Sequence, residues 1–142
     1  MIGIISAIVA GSVMSIQGVM NTRLSDKIGL YETNMIVQGT AFALSVIAAL
    51  LLGKNGFGGI REINRWYLLG GVLGLVITIS VMLSMKGLSP TAAVSIILIA
   101  QLLTAAIIDY FGLMDSEKLP FLWNKYIGLA LMIGGVILFK IK

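Results

Sequence analysis

Long apolar stretches alternate with short polar segments along the whole chain. A helix needs about 20 mostly apolar residues to cross roughly 30 Å of hydrocarbon. Stretches that reach or approach this length cover residues 2–20, 34–53, 67–86, 90–112 and 126–140. The segments between them, such as the polar connection over 21–32, carry most of the charged residues. This pattern predicts an all-α membrane protein with five transmembrane helices, in which residues 1–142 form a single transmembrane domain.

Residues at the ends of these stretches support the same division. Ser89 precedes Pro90, and proline suits the first turn of a helix. Aromatic residues also fall at the predicted ends, where their amphipathic rings favour the headgroup zone. They are Trp66, Tyr67, Trp123 and Tyr126.

The composition indicates that lipid surrounds much of the surface of the protein. The chain is 58% hydrophobic and only 11% charged, with a mean hydropathy of +1.04, whereas soluble domains carry about 25% charged residues. The net charge of +4 comes from Lys and Arg residues scattered singly through loops. This scatter favours a role at the membrane surface over nucleic-acid binding.

No group of residues is typical of catalysis. The chain has no Cys and no His, which removes disulfides, thiolate ligands and the commonest general base. It has no Ser/His/Asp set and no phosphate-binding loop, and Asp109 is the only acid well inside a predicted span. We therefore expect no enzyme, no cofactor and no metal site.

The basic residues are balanced across the membrane. Five spans place the termini on opposite sides, and the bias of Lys and Arg in short loops sets orientation. One side holds Lys54, Arg61, Arg65, Lys118 and Lys125, and the other holds Arg23, Lys27, Lys86, Lys140 and Lys142. Because neither side has an excess, we hypothesise that the chain inserts both ways and forms an antiparallel homodimer. The alternative is one orientation set by the N-terminus or by insertion order.

Polar residues inside the spans are candidates for a substrate site, because such residues are costly in hydrocarbon. Two interpretations stay open for the amides: they line a cavity, or they join neighbouring helices. Most Ser and Thr hydroxyls are expected to bond back to their own helix. Asp109 is interpreted as a gating residue or as the partner of an interfacial Lys or Arg. The candidate cavity residues are Gln17, Asn21, Gln38, Ser95 and Gln101.

Glycine spacing indicates faces for close helix packing. Gly70 and Gly74 form a G-x-x-x-G pair, which is a weak packing signal. Gly128 and Gly135 lie about two helical turns apart and therefore share a face. This face is predicted to pack against the same helix of a second copy, and packing within one chain is the alternative.

Several short motifs follow one family pattern over nearly the whole chain. They are Gln17-Gly-Val-Met-Asn21 with Leu24 and Gly29, Gly39-Thr40, Ala100-Gln101-Leu102, Ile108-Asp109-Tyr-Phe-Gly112 and the closing GLALMIGGVILF. Together they resemble the YdcZ-type family, a domain of unknown function. The chain departs from it at Met35-Ile36, where many relatives have Ser-Phe.

The resemblance implies the drug/metabolite transporter superfamily. Its larger members have ten spans built as two inverted five-helix halves, and its smallest members are antiparallel four-helix dimers. This chain looks like one half, which an inverted copy would complete. In the small relatives the last helix dimerises through glycines, and Gly128 and Gly135 match that spacing. Those relatives also couple protons through a first-helix acid, which the first span here lacks, so that mechanism is not carried over.

These inferences lead to one expected function with two alternatives. We expect a multi-pass protein of the bacterial cytoplasmic membrane that transports small polar or zwitterionic metabolites. Its partners would be lipid, the small-molecule substrate and a second, antiparallel copy of itself. Alternating access would occur at the dimer interface, near the midplane. The alternatives are a dual-topology ion channel and a membrane scaffold or accessory subunit that transports nothing.

Overall fold

The computed structural model describes residues 1–54, 56–61, 63–118, 120 and 122–140, and these residues form five α-helices. The helices are α1 (Ile2–Ile28), α2 (Leu30–Leu52), α3 (Gly70–Gly87), α4 (Pro90–Phe111) and α5 (Trp123–Lys140). A 3-10 turn over Arg65–Leu69 leads directly into α3. Lys142, which entered the charge balance, lies outside the described residues.

The chain divides into two compact units, Met1–Gly87 and Leu88–Lys142. In the first unit α1, α2 and α3 all pack against one another. The Asp26 carboxylate and the Lys86 ammonium form an ion pair at 3.2 Å, which joins the C-terminal ends of α1 and α3. These two helices therefore run in the same direction, and α2 begins at the end where they finish.

The polar connection predicted over residues 21–32 is almost entirely helical. α1 continues through Ile28, and only Gly29 separates it from α2. Thr22 and Ser25 donate their hydroxyls to the carbonyls of Gly18 and Thr22, at 2.7 and 2.8 Å. These residues therefore satisfy their polar groups inside the helix, so their polarity does not end it. Gly29 ends it with φ 98° and ψ 161°, a conformation that L side chains rarely adopt.

In the second unit α4 packs against α5. Ser89 caps α4 by accepting a hydrogen bond from the Ala92 N–H at 3.3 Å, and Pro90 occupies the first turn as the sequence predicts. Gly112 ends α4 in the left-handed conformation, with φ 63°. α5 starts at Trp123, so Trp123 and Tyr126 both lie in its first turn.

Four segments are long and apolar enough to cross a membrane: Ile2–Ile28, Leu30–Leu52, Arg65–Gly87 and Pro90–Phe111. At most 11% of the most apolar window of any of them is buried within the protein. The apolar part of α5, Trp123–Leu138, is shorter. The prediction of an all-helical membrane protein is thus confirmed, and the fifth crossing stays a prediction.

Candidate transport site

A stripe of small and polar residues on α1 forms the inside of the first unit. Gly18, Asn21, Thr22 and Ser25 are all buried, and their spacing places them on one helix face. α3 packs closely at Gly18, where an added Cβ would lie 2.7 Å from the Met85 Cε. The interior of this unit therefore combines small and polar residues of α1 with the buried side chains of Met82 and Met85 on α3.

The start of α2 adds two further buried polar residues. Thr33 is fully buried and Asn34 is only 6% exposed. The Thr33 Oγ1 and the Asn34 Oδ1 have no hydrogen-bond partner among the described residues. Because an unsatisfied buried polar group costs about 1–3 kcal/mol, these two atoms are the energetically unfavourable part of this polar region. Asn21 lies in the same buried region, near the end of the first unit where α1 finishes and α2 begins.

Gln38 joins two helices. Its Nε2 donates a long hydrogen bond, 3.5 Å, to the Thr78 hydroxyl on α3. The Thr78 hydroxyl in turn donates to the Gly74 carbonyl at 2.9 Å. Gly74 permits this approach, since an added Cβ would lie 3.3 Å from the Gln38 Nε2. Its predicted G-x-x-x-G partner, Gly70, has open space around it, so of this pair only Gly74 lies in a close helix contact.

Gln17 on α1 and Gln101 on α4 are both exposed. Neither amide makes a hydrogen bond within the described part of the chain. A polar side chain that faces hydrocarbon is costly. We therefore expect these two amides to contact protein, substrate or water, and not lipid acyl chains.

The hydroxyls on the other candidate positions bond back to their own helices. Ser95 is half-buried and donates to the Thr91 carbonyl at 2.8 Å. Ser12, Ser15, Thr40 and Thr104 do the same along α1, α2 and α4. This confirms the expectation that such hydroxyls serve the helices, while the cavity role of Ser95 stays a prediction.

Asp109 lines a groove of about 470 Å³ between α4 and α5. Lys125, in the first turn of α5, lines the same groove. The remaining lining is apolar and includes the small residues Ala105, Ala106 and Gly128. A second, smaller groove of about 240 Å³ is lined by apolar and aromatic residues, among them Tyr110, Phe111 and Tyr126. Both grooves are bordered by Leu103, Ala106 and Leu129.

The two glycines predicted to pack a dimer differ in their surroundings. Gly128 lies on the wall of the larger groove, and Gly135 does not line it. An added Cβ at either position would meet nothing within 4 Å. Both positions are therefore open for a ligand or a second copy, and dimer packing stays a prediction.

Sequence reasoning missed three features of these sites. It proposed no role for Asn34, it passed over Thr33, and it counted Lys125 only as a loop charge. The α1 stripe had a usable signal in its helical period, but a search for apolar periodicity overlooks small and polar residues. No comparable signal brings Lys125 to Asp109, because their meeting depends on how α4 and α5 pack.

Among the described residues, no group of three or more His, Cys, Asp or Glu residues could hold a metal ion. The polar atoms gathered in the first unit are amides and hydroxyls. In the larger groove of the second unit, the polar side chains are one carboxylate and one ammonium. Such groups bind ligands through hydrogen bonds and charge pairing.

Comparison with known proteins identifies the family. The family model described as "Putative inner membrane exporter, YdcZ" matches residues 2–138. No curated protein and no solved structure is significantly similar to the chain. The family match covers every helix of the structure and confirms the resemblance seen in the sequence motifs. The chain therefore belongs to the YdcZ family and is a multi-pass protein of the inner membrane.

Proposed function

We propose that this chain is a secondary transporter that moves small polar or zwitterionic metabolites across the inner membrane. Two copies in opposite orientations form the transporter, and access to the site alternates between the two sides. The observation that carries the transport function is the match of residues 2–138 to the family model described as "Putative inner membrane exporter, YdcZ". The multi-pass helical architecture supports it.

Two observations support the antiparallel dimer. Gln17 and Gln101 are exposed amides on membrane helices, and a second copy would shield them from lipid. The basic residues show no bias between the two sides if α5 also crosses the membrane, and without bias neither orientation is preferred. An inverted pair of five-helix chains then forms a ten-helix inverted repeat, in which substrate sites lie near the midplane.

Flux measurements on the reconstituted protein distinguish a carrier from the two alternatives. A carrier shows saturation and counter-exchange of its solute. Large uncoupled currents would indicate a channel, and an absence of flux for every solute that the cells export would indicate a scaffold. The solutes are chosen by comparing the medium of cells that lack the protein with that of cells that overproduce it.

Gln101→Leu tests the predicted site. Because the Gln101 side chain is exposed on α4, leucine should not disturb the folded chain, and the melting temperature and the dimer should be unchanged. Transport should fall at least about fivefold, since a site that loses a buried hydrogen bond to its substrate loses about 1–3 kcal/mol. Leu98→Gln, which places an exposed amide one turn earlier on α4, is the control for altered polarity. Full transport by Gln101→Leu would remove this residue from the site.

A further inference from the structure

The larger groove between α4 and α5 is charged at one end and apolar beyond. Asp109 lies in the last turn of α4, and Lys125 lies in the first turn of α5. Leu102 lines the groove about two turns before Asp109, and Met132 lines it about two turns after Lys125. The groove therefore extends about 10 Å from its charged end into apolar surroundings.

Each of the two charges lies at the helix end that disfavours it. The C-terminal end of a helix carries partial negative charge, yet α4 has Asp109 there, and the N-terminal end carries partial positive charge, yet α5 has Lys125 there. Exchanging the two residues would favour both helices. A ligand ammonium beside Asp109 would be attracted by the carboxylate and by the end of α4, and a ligand anion beside Lys125 by the ammonium and by the start of α5.

The position of the groove along the helices fits an amphiphile. Its charged end lies beside Trp123 and Tyr126, residues of the kind that favour the headgroup zone. Its apolar end lies about two turns before Asp109 on α4 and about two turns after Lys125 on α5. Small side chains at Ala105, Ala106 and Gly128 leave room between the helices, and about 470 Å³ is within the usual size of small-molecule sites, about 300–1,000 Å³.

We propose that this groove binds a short zwitterionic amphiphile, with its ammonium on Asp109, its anionic group on Lys125 and its apolar part between α4 and α5. The proposal rests on the proposed transport function and names the substrate class for it: the groove is a second binding position for the transported solute, separate from the midplane site that Gln101 is predicted to line. A phospholipid fits less well, because its acyl chains cross a leaflet of about 15 Å and the groove is shorter. The occupant is therefore a small solute such as an apolar amino acid.

Three probes with the same phenyl group and different head charges test the proposal. Phenylalanine carries both charges, phenethylamine carries the ammonium alone, and 3-phenylpropanoate carries the carboxylate alone. Calorimetric titration of the purified protein in detergent should show phenylalanine binding at least about tenfold more tightly than either other probe, because each charge-assisted contact contributes separately. Asp109→Asn should weaken the two amines, and Lys125→Gln should weaken the two carboxylates.

Matched variants separate the groove from general effects of charge and packing. Glu117→Gln and Lys118→Gln make the same charge changes on exposed residues outside the groove and should leave binding unchanged. Gly128→Leu should fill the groove and abolish phenylalanine binding, since its Cβ meets nothing within 4 Å. Gly134→Leu, at another open glycine of α5 that does not line the groove, should retain binding. Melting temperatures confirm that each variant is folded.

Several results would overturn the proposal. Equal affinity for the three probes, or phenylalanine binding that survives both Asp109→Asn and Lys125→Gln, would show that the charges are not used. The groove would be a lipid site if phosphatidylethanolamine co-purified with the wild type and was lost only in Gly128→Leu, and if phenylalanine did not bind. Dissociation of the dimer by Gly128→Leu, without phenylalanine binding to the wild type, would make it a helix-packing surface.

The binding assay is independent of transport, so the two proposals can fail separately. Groove-dependent phenylalanine binding by a protein that transports nothing would refute the transport function alone. Transport that is unaffected by Asp109→Asn and by Lys125→Gln would refute the groove as a binding position for the transported solute while leaving the transporter intact.

Discussion

Gly18 shows how one residue type decides the packing of the first unit. It lies on the buried stripe of α1, and the Met85 Cε and Val81 Cγ1 of α3 would be 2.7 and 3.1 Å from an added Cβ. In a membrane, helices gain little from burying apolar groups, because lipid is as apolar as leucine. Close van der Waals packing is therefore the main attraction left, and at Gly18 the side chains of Met85 and Val81 pack against the α1 backbone because no side chain stands between them.

Gly18→Ile is expected to destabilise the protein. Isoleucine must displace both Met85 and Val81, and overpacking of this kind costs about 1–3 kcal/mol. Its apparent melting temperature in detergent should fall relative to wild type. Gly11→Ile is the matched control on the same helix, where an added Cβ meets nothing within 4 Å, and it should melt like the wild type. Equal melting temperatures for both variants would contradict the close packing at Gly18.

The break between α1 and α2 illustrates which element boundaries a sequence specifies. Apolar content alone ends the first stretch near residue 20, yet α1 continues to Ile28. A membrane span is limited by the thickness of hydrocarbon, whereas a helix continues while its backbone and polar side chains are satisfied. Thr22 and Ser25 meet that condition through hydrogen bonds to carbonyls in their own helix.

The other long helices begin and end within a few residues of the predicted spans, because caps such as Ser89-Pro90 and Gly112 are local signals.

Gly29→Ala tests whether this break depends on glycine. Alanine at φ 98° and ψ 161° is strained, and its Cβ would collide with the Glu32 carboxylate. Such strain costs about 1–3 kcal/mol, so the melting temperature should fall.

A second variant separates the two causes of this loss. Gly29→Ala combined with Glu32→Ala removes the collision but not the backbone strain, and it should remain less stable than Glu32→Ala alone. Gly39→Ala, at an exposed glycine of α2 with open space, is the control and should be neutral or slightly stabilising. A double variant as stable as Glu32→Ala would mean that the backbone conformation imposes no requirement for glycine.

At the scale of the whole molecule, each of the four long apolar segments exposes most of its apolar residues, with at most 11% of its most apolar window buried. The amides of Gln17 and Gln101 are exposed among these apolar residues, and the basic residues give no preference for one orientation if α5 also crosses the membrane. Both features are explained if the active transporter contains a second copy inserted the other way. Orientation then follows from the count of loop charges, and small changes in that count should control it.

Two charge variants test dual topology. Arg23→Gln with Lys27→Gln leaves three basic residues against five and should hold the N-terminal side in the cytoplasm. Lys54→Gln with Lys118→Gln reverses the bias and should hold the N-terminal side outside. Reporters fused to the C-terminus should show both locations for the wild type and a single location for each variant.

Each variant alone should be inactive, and the two expressed together should transport. Activity of either variant alone, or a single location for the wild type, would contradict an obligatory antiparallel pair.

The sequence by itself determined that the chain lies in lipid, that it is all-helical, approximately where its apolar spans lie, and which family it belongs to. These depend on composition, on the length of apolar stretches relative to the hydrocarbon thickness, and on local motifs. Only the tertiary structure decided which polar residues face inward. It placed Asn21 in a buried polar region, joined Gln38 to Thr78, and brought Asp109 and Lys125 into one groove. Lipid and protein interior are equally apolar, so hydrophobicity does not distinguish the inner face of a membrane helix, and contacts between distant residues must settle it.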